Sequence, residues 1–193
     1  MPKSWYNDPW IITGTIIFAL LIQAFVLHLF GQPPICTCDY VKLWEGVVSS
    51  GGNSQHITDW YTLSHVIHGF LFYLLLRTLF PRMPVLTRLL LAVGIEIAWE
   101  ITENTPWLIE HYRQQALAQG YVGDSILNSL SDTVAMIAGF LLVRHTRWWL
   151  ILMLAIMFEA FTVFYIRDGL VLNILGFFYI PDFIHSWQSA EHL

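Results

Sequence analysis

Charge is scarce in this chain. Only 12% of its 193 residues are Asp, Glu, Lys or Arg, against about 25% in an ordinary soluble domain, while 56% are hydrophobic and the mean hydropathy is +0.57. This balance excludes a water-soluble globular protein and implies one embedded in a bilayer. Nine Lys and Arg and a formal net charge of −5 leave no basic surface, and with it no nucleic-acid partner. The length has no room for a soluble domain beside spanning helices of about 20 residues each. The expected architecture is an all-α, polytopic membrane helix bundle of five to six transmembrane helices, a single integral membrane domain over residues 1–193. Several signatures are also missing: the His-Glu-x-x-His of zinc proteases, the Glu-x-x-His pairs of ferritin-like di-iron sites, the His-rich boxes of membrane desaturases, and the internal repeat of many transporters.

The first apolar span, about 10–30, follows the interfacial aromatics Trp5, Tyr6 and Trp10. It is too long, and its start too poor in basic residues, for a cleaved signal peptide, so it reads as a retained helix. Residues 31–61 are rich in Gly, Pro and Ser and form an extramembrane loop. Further helices are expected at about 62–80, 86–109, 124–143 and 148–166, the second ended by Pro81 and Pro84. A weaker apolar segment at 170–187, broken by Gly176 and Pro181, either crosses, dips in and returns, or lies on the surface.

What stands out against this apolar background is a small set of polar residues on the helices. Glu96, Glu100 and Glu103 fall at i, i+4 and i+7 and line one helix face, as do His65 and His68 at i and i+3. Asp124, Asn128 and Asp132 make a third stripe at i, i+4 and i+8. An ionised carboxylate inside a bilayer costs at least a few kcal/mol, so it needs a partner, a proton, a metal or a water-filled cavity.

Orientation follows from the basic residues. Lys3, Arg77, Arg82, Arg88, Arg144 and Arg147 share one side and Lys42, Arg113 and Arg167 the other, which places the N-terminus in the cytoplasm of a bacterial cell inner membrane and the 31–61 loop in the periplasm. All three polar stripes then occupy the same outer half of the bilayer, which favours one shared cavity.

Histidines with carboxylates suit Zn, Mn or Fe. The expected ligands are His65, His68, Glu100 and Asp132, with Glu96, Glu103, Asp124 and His56 as further candidates, and Asp59, Asn104 and Asn128 as polar neighbours. Glu103, with Glu96 and Asp124, is the expected acid–base group. Such a site would serve a metal-dependent hydrolase or transferase acting on a lipid-linked or envelope substrate. The alternatives are a non-enzymatic accessory subunit of a larger membrane complex, or a proton- or ion-coupled carrier. The competing structural readings are two carboxylates sharing a proton, and Asn128 and Ser129 as ordinary interhelical hydrogen-bonding residues. His28, His111 and His145 read as packing residues. Cys36 and Cys38 could form a strained, redox-active disulfide, remain free thiols, bond another chain or ligate a soft metal.

The ordered motifs Gln55-His56-Ile-Thr-Asp59-Trp60-Tyr61, Ser64-His65-x-x-His68-Gly69-Phe70, Glu96-x-x-Trp99-Glu100-x-x-Glu103-Asn104 and Gly123-Asp124-Ser125-x-x-Asn128-Ser-x-Ser-Asp132-Thr resemble an uncharacterised family of proteobacterial inner-membrane proteins. The resemblance covers about residues 36–140 and implies no activity. The Asp-x-x-x-Asn on a helix end is more distantly similar to VanZ-like membrane proteins, which implies an envelope role. The extra glutamates and His65 and His68 depart from that pattern.

Overall fold

A computed structural model describes residues 8–115, 117–118 and 120–189; Lys3, Trp5 and Tyr6 lie outside the described residues. Eight helices are formed among these: α1 (Pro9–Leu29), α2 (Thr62–Leu79), α3 (Val85–Glu103), α4 (Pro106–Arg113), α5 (Ile126–His145), α6 (Trp148–Ile166), α7 (Leu170–Gly176) and α8 (Asp182–Ser189). Two residue pairs in the long loop, β1 (Trp44–Glu45) and β2 (Thr58–Asp59), form a short parallel bridge. The fold is all-α apart from that bridge. Four helices, α1, α2, α5 and α6, are long and apolar enough to cross a membrane. The 19-residue α3 matches them in length but carries the three glutamates and Arg88.

α2 and α5 sit at the centre. Each buries 44% of its most apolar stretch, against 17% for α1 and α6, whose remaining apolar faces point outward as lipid-facing helices do. The α2–α5 contact is backbone to backbone. A methyl group at Gly69 would come within 2.2 Å of the Met136 carbonyl oxygen, and one at Gly139 within 2.3 Å of the Val66 carbonyl oxygen. Small residues thus permit the close approach, as they do in membrane interfaces generally. Around this crossing pack Phe70, Tyr73 and Leu76 of α2, Leu89, Ala92 and Val93 of α3, Met136, Phe140 and Val143 of α5, and Ile151 of α6.

Arg77, Arg82, Arg88, Arg144 and Arg147 gather at one end of this bundle, the arginine end; the 31–61 loop covers the other, the loop end. The loop is pinned to the start of α5. Pro33 and Pro34 carbonyls accept from Ile126 and Leu127 N–H, Ser54 carbonyl accepts from Ser125 N–H, and Asn128 Nδ2 donates to His56 carbonyl. These bonds satisfy the N–H groups that a helix start leaves unpaired.

Two sequence expectations need correction, and a third, left open, is narrowed. The helix expected over 86–109 stops at Glu103, and α4 starts at Pro106. Proline keeps the preceding residue out of the helical region, and Thr105, at φ −76° and ψ 148°, instead caps α4 by accepting from Leu108 N–H. α5 starts at Ile126 with Ser125 as its cap, so Asp124 lies before the helix and does not continue the Asn128–Asp132 stripe. The segment 170–187 divides into α7 and α8, of seven and eight residues, each far short of a bilayer at about 1.5 Å per residue.

Candidate functional site

The loop half of the bundle holds a buried centre assembled from three helices. Both imidazoles come from one face of α2, where a three-residue spacing stacks His65 and His68 edge to face, with ring centroids 5.1 Å apart. His65 Nδ1 lies 2.7 Å from Glu96 Oε1 and 3.2 Å from Glu100 Oε1, and its Nε2 is 3.9 Å from Asp132 Oδ2 on α5. His68 Nδ1 is 3.2 Å from Glu96 Oε2. Glu96 therefore meets one imidazole with each oxygen.

Glu96 and Glu100 are 0% and 1% exposed, and their ion-pair partners among the described residues are histidines only. Burying a carboxylate this deeply requires hydrogen bonds or a counter-charge. Glu100 Oε2 accepts a 2.6 Å hydrogen bond from Ser129 Oγ, which in turn accepts one from Gln23 Nε2 at 2.8 Å. Thr133 Oγ1 donates to Gln23 Oε1. Glu100 Oε1 has no hydrogen bond of its own and faces His65. One ligand atom from each of His65, His68 and Glu96 falls within 4.8 Å of the others, and the same holds for His65, Glu100 and Glu103.

On the far side of His65, Asp132 Oδ1 accepts from Thr62 Oγ1 at 2.7 Å, and Thr62 Oγ1 accepts from Asp59 N–H. Asp59 takes N–H groups of Ser54, Tyr61 and Thr62 on its carboxylate. It holds the backbone at the approach to α2, outside the cluster. Burial pushes its carboxyl up and those backbone N–H groups pull it back. His68 and Glu103 are the half-buried members and mark where the centre opens. Trp99 stands beside His68, and Phe177, just past α7, packs on Trp99 and stacks on His111 at 5.2 Å. Tyr112 hydroxyl hydrogen-bonds Glu103.

Asp124 belongs to a separate clamp. Its carboxylate accepts from Asn104 Nδ2 at 2.7 Å and Tyr121 hydroxyl at 2.8 Å, and its N–H donates to Asn104 Oδ1 at 2.7 Å. Burial, opposed by the Tyr121 and Asn104 bonds, pushes its carboxyl up to about 6. The clamp joins the end of α3 to the approach of α5. Asp168, after α6, accepts from Tyr61 hydroxyl at 2.9 Å and is likewise pushed up by burial to about 6.

The predicted residues thus divide. His65, His68, Glu96, Glu100, Glu103 and Asp132 come together, with Glu96 rather than Asp132 between the two imidazoles. Asp124 and Asn104 form the clamp, Asn128 pins the loop, and His56 lies in the loop beside Cys36 and Cys38, which form a disulfide. His28 and His145 are exposed on their helices. Gln23, Thr62 and Tyr112 were not anticipated. Gln23 had a legible signal, being a lone amide inside an otherwise apolar span, and it is fully buried.

Spanning-length helices, lipid-facing apolar surfaces and a buried polar centre near one end define a helical membrane protein with an internal histidine–carboxylate site. The chain belongs to the family described as Protein of unknown function (DUF2585), whose model matches residues 27–190. It is 48% identical over 180 residues to the UPF0314 protein of Sphingopyxis alaskensis, covering 92% of this chain and 96% of that one. A UPF0314 protein of Sinorhizobium fredii is 51% identical over 184 residues, with 95% and 93% covered. One of Rhizobium meliloti is 52% identical over 171 residues, with 89% and 87% covered. No solved structure matches. This is the uncharacterised bacterial family that the motifs of residues 36–140 resemble.

Proposed function

We propose that this protein is a metal-dependent hydrolase or transferase of the bacterial inner membrane, acting from the loop side on a lipid-linked or envelope substrate. The observation that carries this reading is the convergence of His65 and His68 on Glu96 in a buried setting with no Lys or Arg counter-charge among the described residues. Donor atoms about 2.1 Å from a tetrahedral cation lie about 3.4 Å apart, close to the 2.7 and 3.2 Å separations here. Zn, Mn or Fe fits a two-imidazole, carboxylate donor set. Such a cation would supply Lewis-acid polarisation of a substrate oxygen. Glu100, with one oxygen held by Ser129 and the other unbonded, is placed to move a proton beside it. Glu103, half-buried at the opening and bonded to Tyr112, is the acid–base group nearest an entering substrate. Asp132 Oδ2, 3.9 Å from His65 Nε2, is a negative neighbour on the far side of that ring. The arginine-rich end favours a cytoplasmic N-terminus and a periplasmic loop.

A carrier is the second reading, favoured by the chain Asp59–Thr62–Asp132–His65–Glu96 that leads inward from the loop. Below it lie Phe70, Met136 and Phe140, all apolar and almost fully buried, where a transmembrane proton or ion path needs polar groups. This weighs for a one-sided site. The deciding experiment is metal analysis by mass spectrometry on detergent-purified protein beside Glu96→Gln and His68→Ala, each checked by circular dichroism. One or two ions per chain, lost in both folded variants, is the expected result. Metal-free wild type after incubation with Zn, Mn and Fe would overturn the reading.

A further inference from the structure

Outside the membrane centre, the loop holds a second convergence of ligating side chains. Cys36 Sγ, Cys38 Sγ and a ring nitrogen of His56 all lie within 4.8 Å of one another. The three residues are brought together by the loop's own bonds. Asn128 of α5 holds the His56 carbonyl, and Tyr40 stacks on the imidazole at 5.5 Å. Lys42 N–H donates to His56 Nδ1 at 3.3 Å, which puts the ring's hydrogen on Nε2. That Nε2 is buried and has no hydrogen-bond partner; the nearest acceptor, Glu45 Oε2, is 3.7 Å away. The space beside it is kept open by Gly52, where a methyl group would come within 3.1 Å of Nε2 and 3.0 Å of Glu45 Oε2.

A fully buried imidazole with an idle nitrogen leaves a polar group uncompensated, which folded proteins tolerate where the group has another use. Two sulfurs and an imidazole are the donor set of a soft or borderline cation. We propose that Cys36, Cys38 and His56 form a binding site for Cu(I) or Zn(II) when the cysteine pair is reduced, and that the Cys36–Cys38 disulfide is the closed form of that site. The site is separate from the His65–Glu96 centre and does not depend on it. Opening consumes two electrons and two protons: a dithiol reductant becomes a disulfide as the Cys36–Cys38 bond becomes two thiols. The cation then displaces the thiol protons, because thiolate is the ligand, and the ring hydrogen moves from Nε2 to Nδ1 as the 3.3 Å contact with Lys42 N–H is given up, which frees the Nε2 lone pair. Cys38 is exposed and Cys36 buried, so the reductant attacks Cys38 and Cys36 leaves, its sulfur already accepting Cys38 N–H at 3.2 Å. Glu45 is held below the ordinary carboxylate range, burial being outweighed by its bonds to Lys42 and Val47 N–H, and stays a negative neighbour to the bound cation.

The test uses the full chain in detergent, fully oxidised or reduced and freed of reductant without air, with Cu(I) or Zn(II) each offered from a chromophoric chelator. The reduced wild type is expected to hold one equivalent per chain more than the oxidised form. That extra equivalent should persist in His68→Ala, which separates it from the membrane centre, and should disappear in Cys38→Ser. His56→Asn, which keeps an acceptor for Lys42 N–H, should weaken it at least tenfold. Co(II) in place of zinc should give thiolate charge-transfer bands only in the reduced protein. Equal metal in oxidised and reduced wild type would overturn the proposal, and so would an extra equivalent that His56→Asn leaves unchanged.

Discussion

The two halves of this bundle are built from the same helices and differ in almost everything else. In the arginine half, α2, α3 and α5 meet through Phe70, Tyr73, Leu89, Val93, Met136 and Phe140, a core that dispersion and close packing hold together. One or two turns away, the same three helices present His65, His68, Glu96, Glu100, Ser129 and Asp132 to one another. Lipid offers no water to these groups, so each must be satisfied by a neighbour. The helices are therefore fixed twice, by shape in one half and by hydrogen-bond directions in the other. The apolar half holds the polar half in register.

This division can be broken deliberately. Phe140→Ala should cost the most, about 3–5 kcal/mol for an emptied, fully buried aromatic site, read as a lowered melting temperature in detergent. If the proposed metal is bound, whatever fraction stays folded should keep the metal content of the wild type, since Phe140 packs in the apolar core against the Tyr73 ring. Gly139→Ala should cost less, about 1–3 kcal/mol for a forced separation of two backbones, but should also reduce metal retention. The reason is geometric: Gly139 meets Val66, the residue after His65, so moving α5 away shifts the imidazole against Asp132. If Gly139→Ala lowered stability and left metal content untouched, the two halves would be independent and the register argument would fail.

How much of this could be read beforehand follows the same line. Apolar runs and proline stops locate α1, α2 and α6 to within a residue or two, because in a bilayer length and hydropathy decide a helix almost alone. The convergence of the His65, Glu96 and Asp132 faces was legible as matched depth. Which carboxylate meets which imidazole was not, because it depends on helix rotation and on the approach that Gly69 and Gly139 permit. The break at Asn104–Thr105 was written in Pro106 but concealed by the apolar residues on either side. The clamp of Asn104, Tyr121 and Asp124 joins residues across a loop, where periodicity carries no information.

The smallest expected effect sharpens the comparison at the edge of the polar half. Asp124 lies at the loop end, buried against Asn104 and Tyr121, and its carboxyl is raised from 3.8 to about 6. An acid that holds its proton more tightly when folded than when unfolded contributes stability that is complete below pH 3.8 and is lost as pH rises through about 6. Asp168 should act in the same direction over the same window. Melting temperature should therefore fall as pH rises from about 4 to about 6, where a chain with only solvated carboxylates would be flat. Asp124→Asn removes one of these raised carboxyls and should flatten that slope, with a difference of about 2 kcal/mol between the two pH limits. Phe140→Ala, far from either acid, should lower the whole curve and leave its slope unchanged. A slope that Asp124→Asn does not alter would mean that Asp124 titrates alike folded and unfolded, the hydrogen bonds from Asn104 and Tyr121 balancing burial at this end of the bundle.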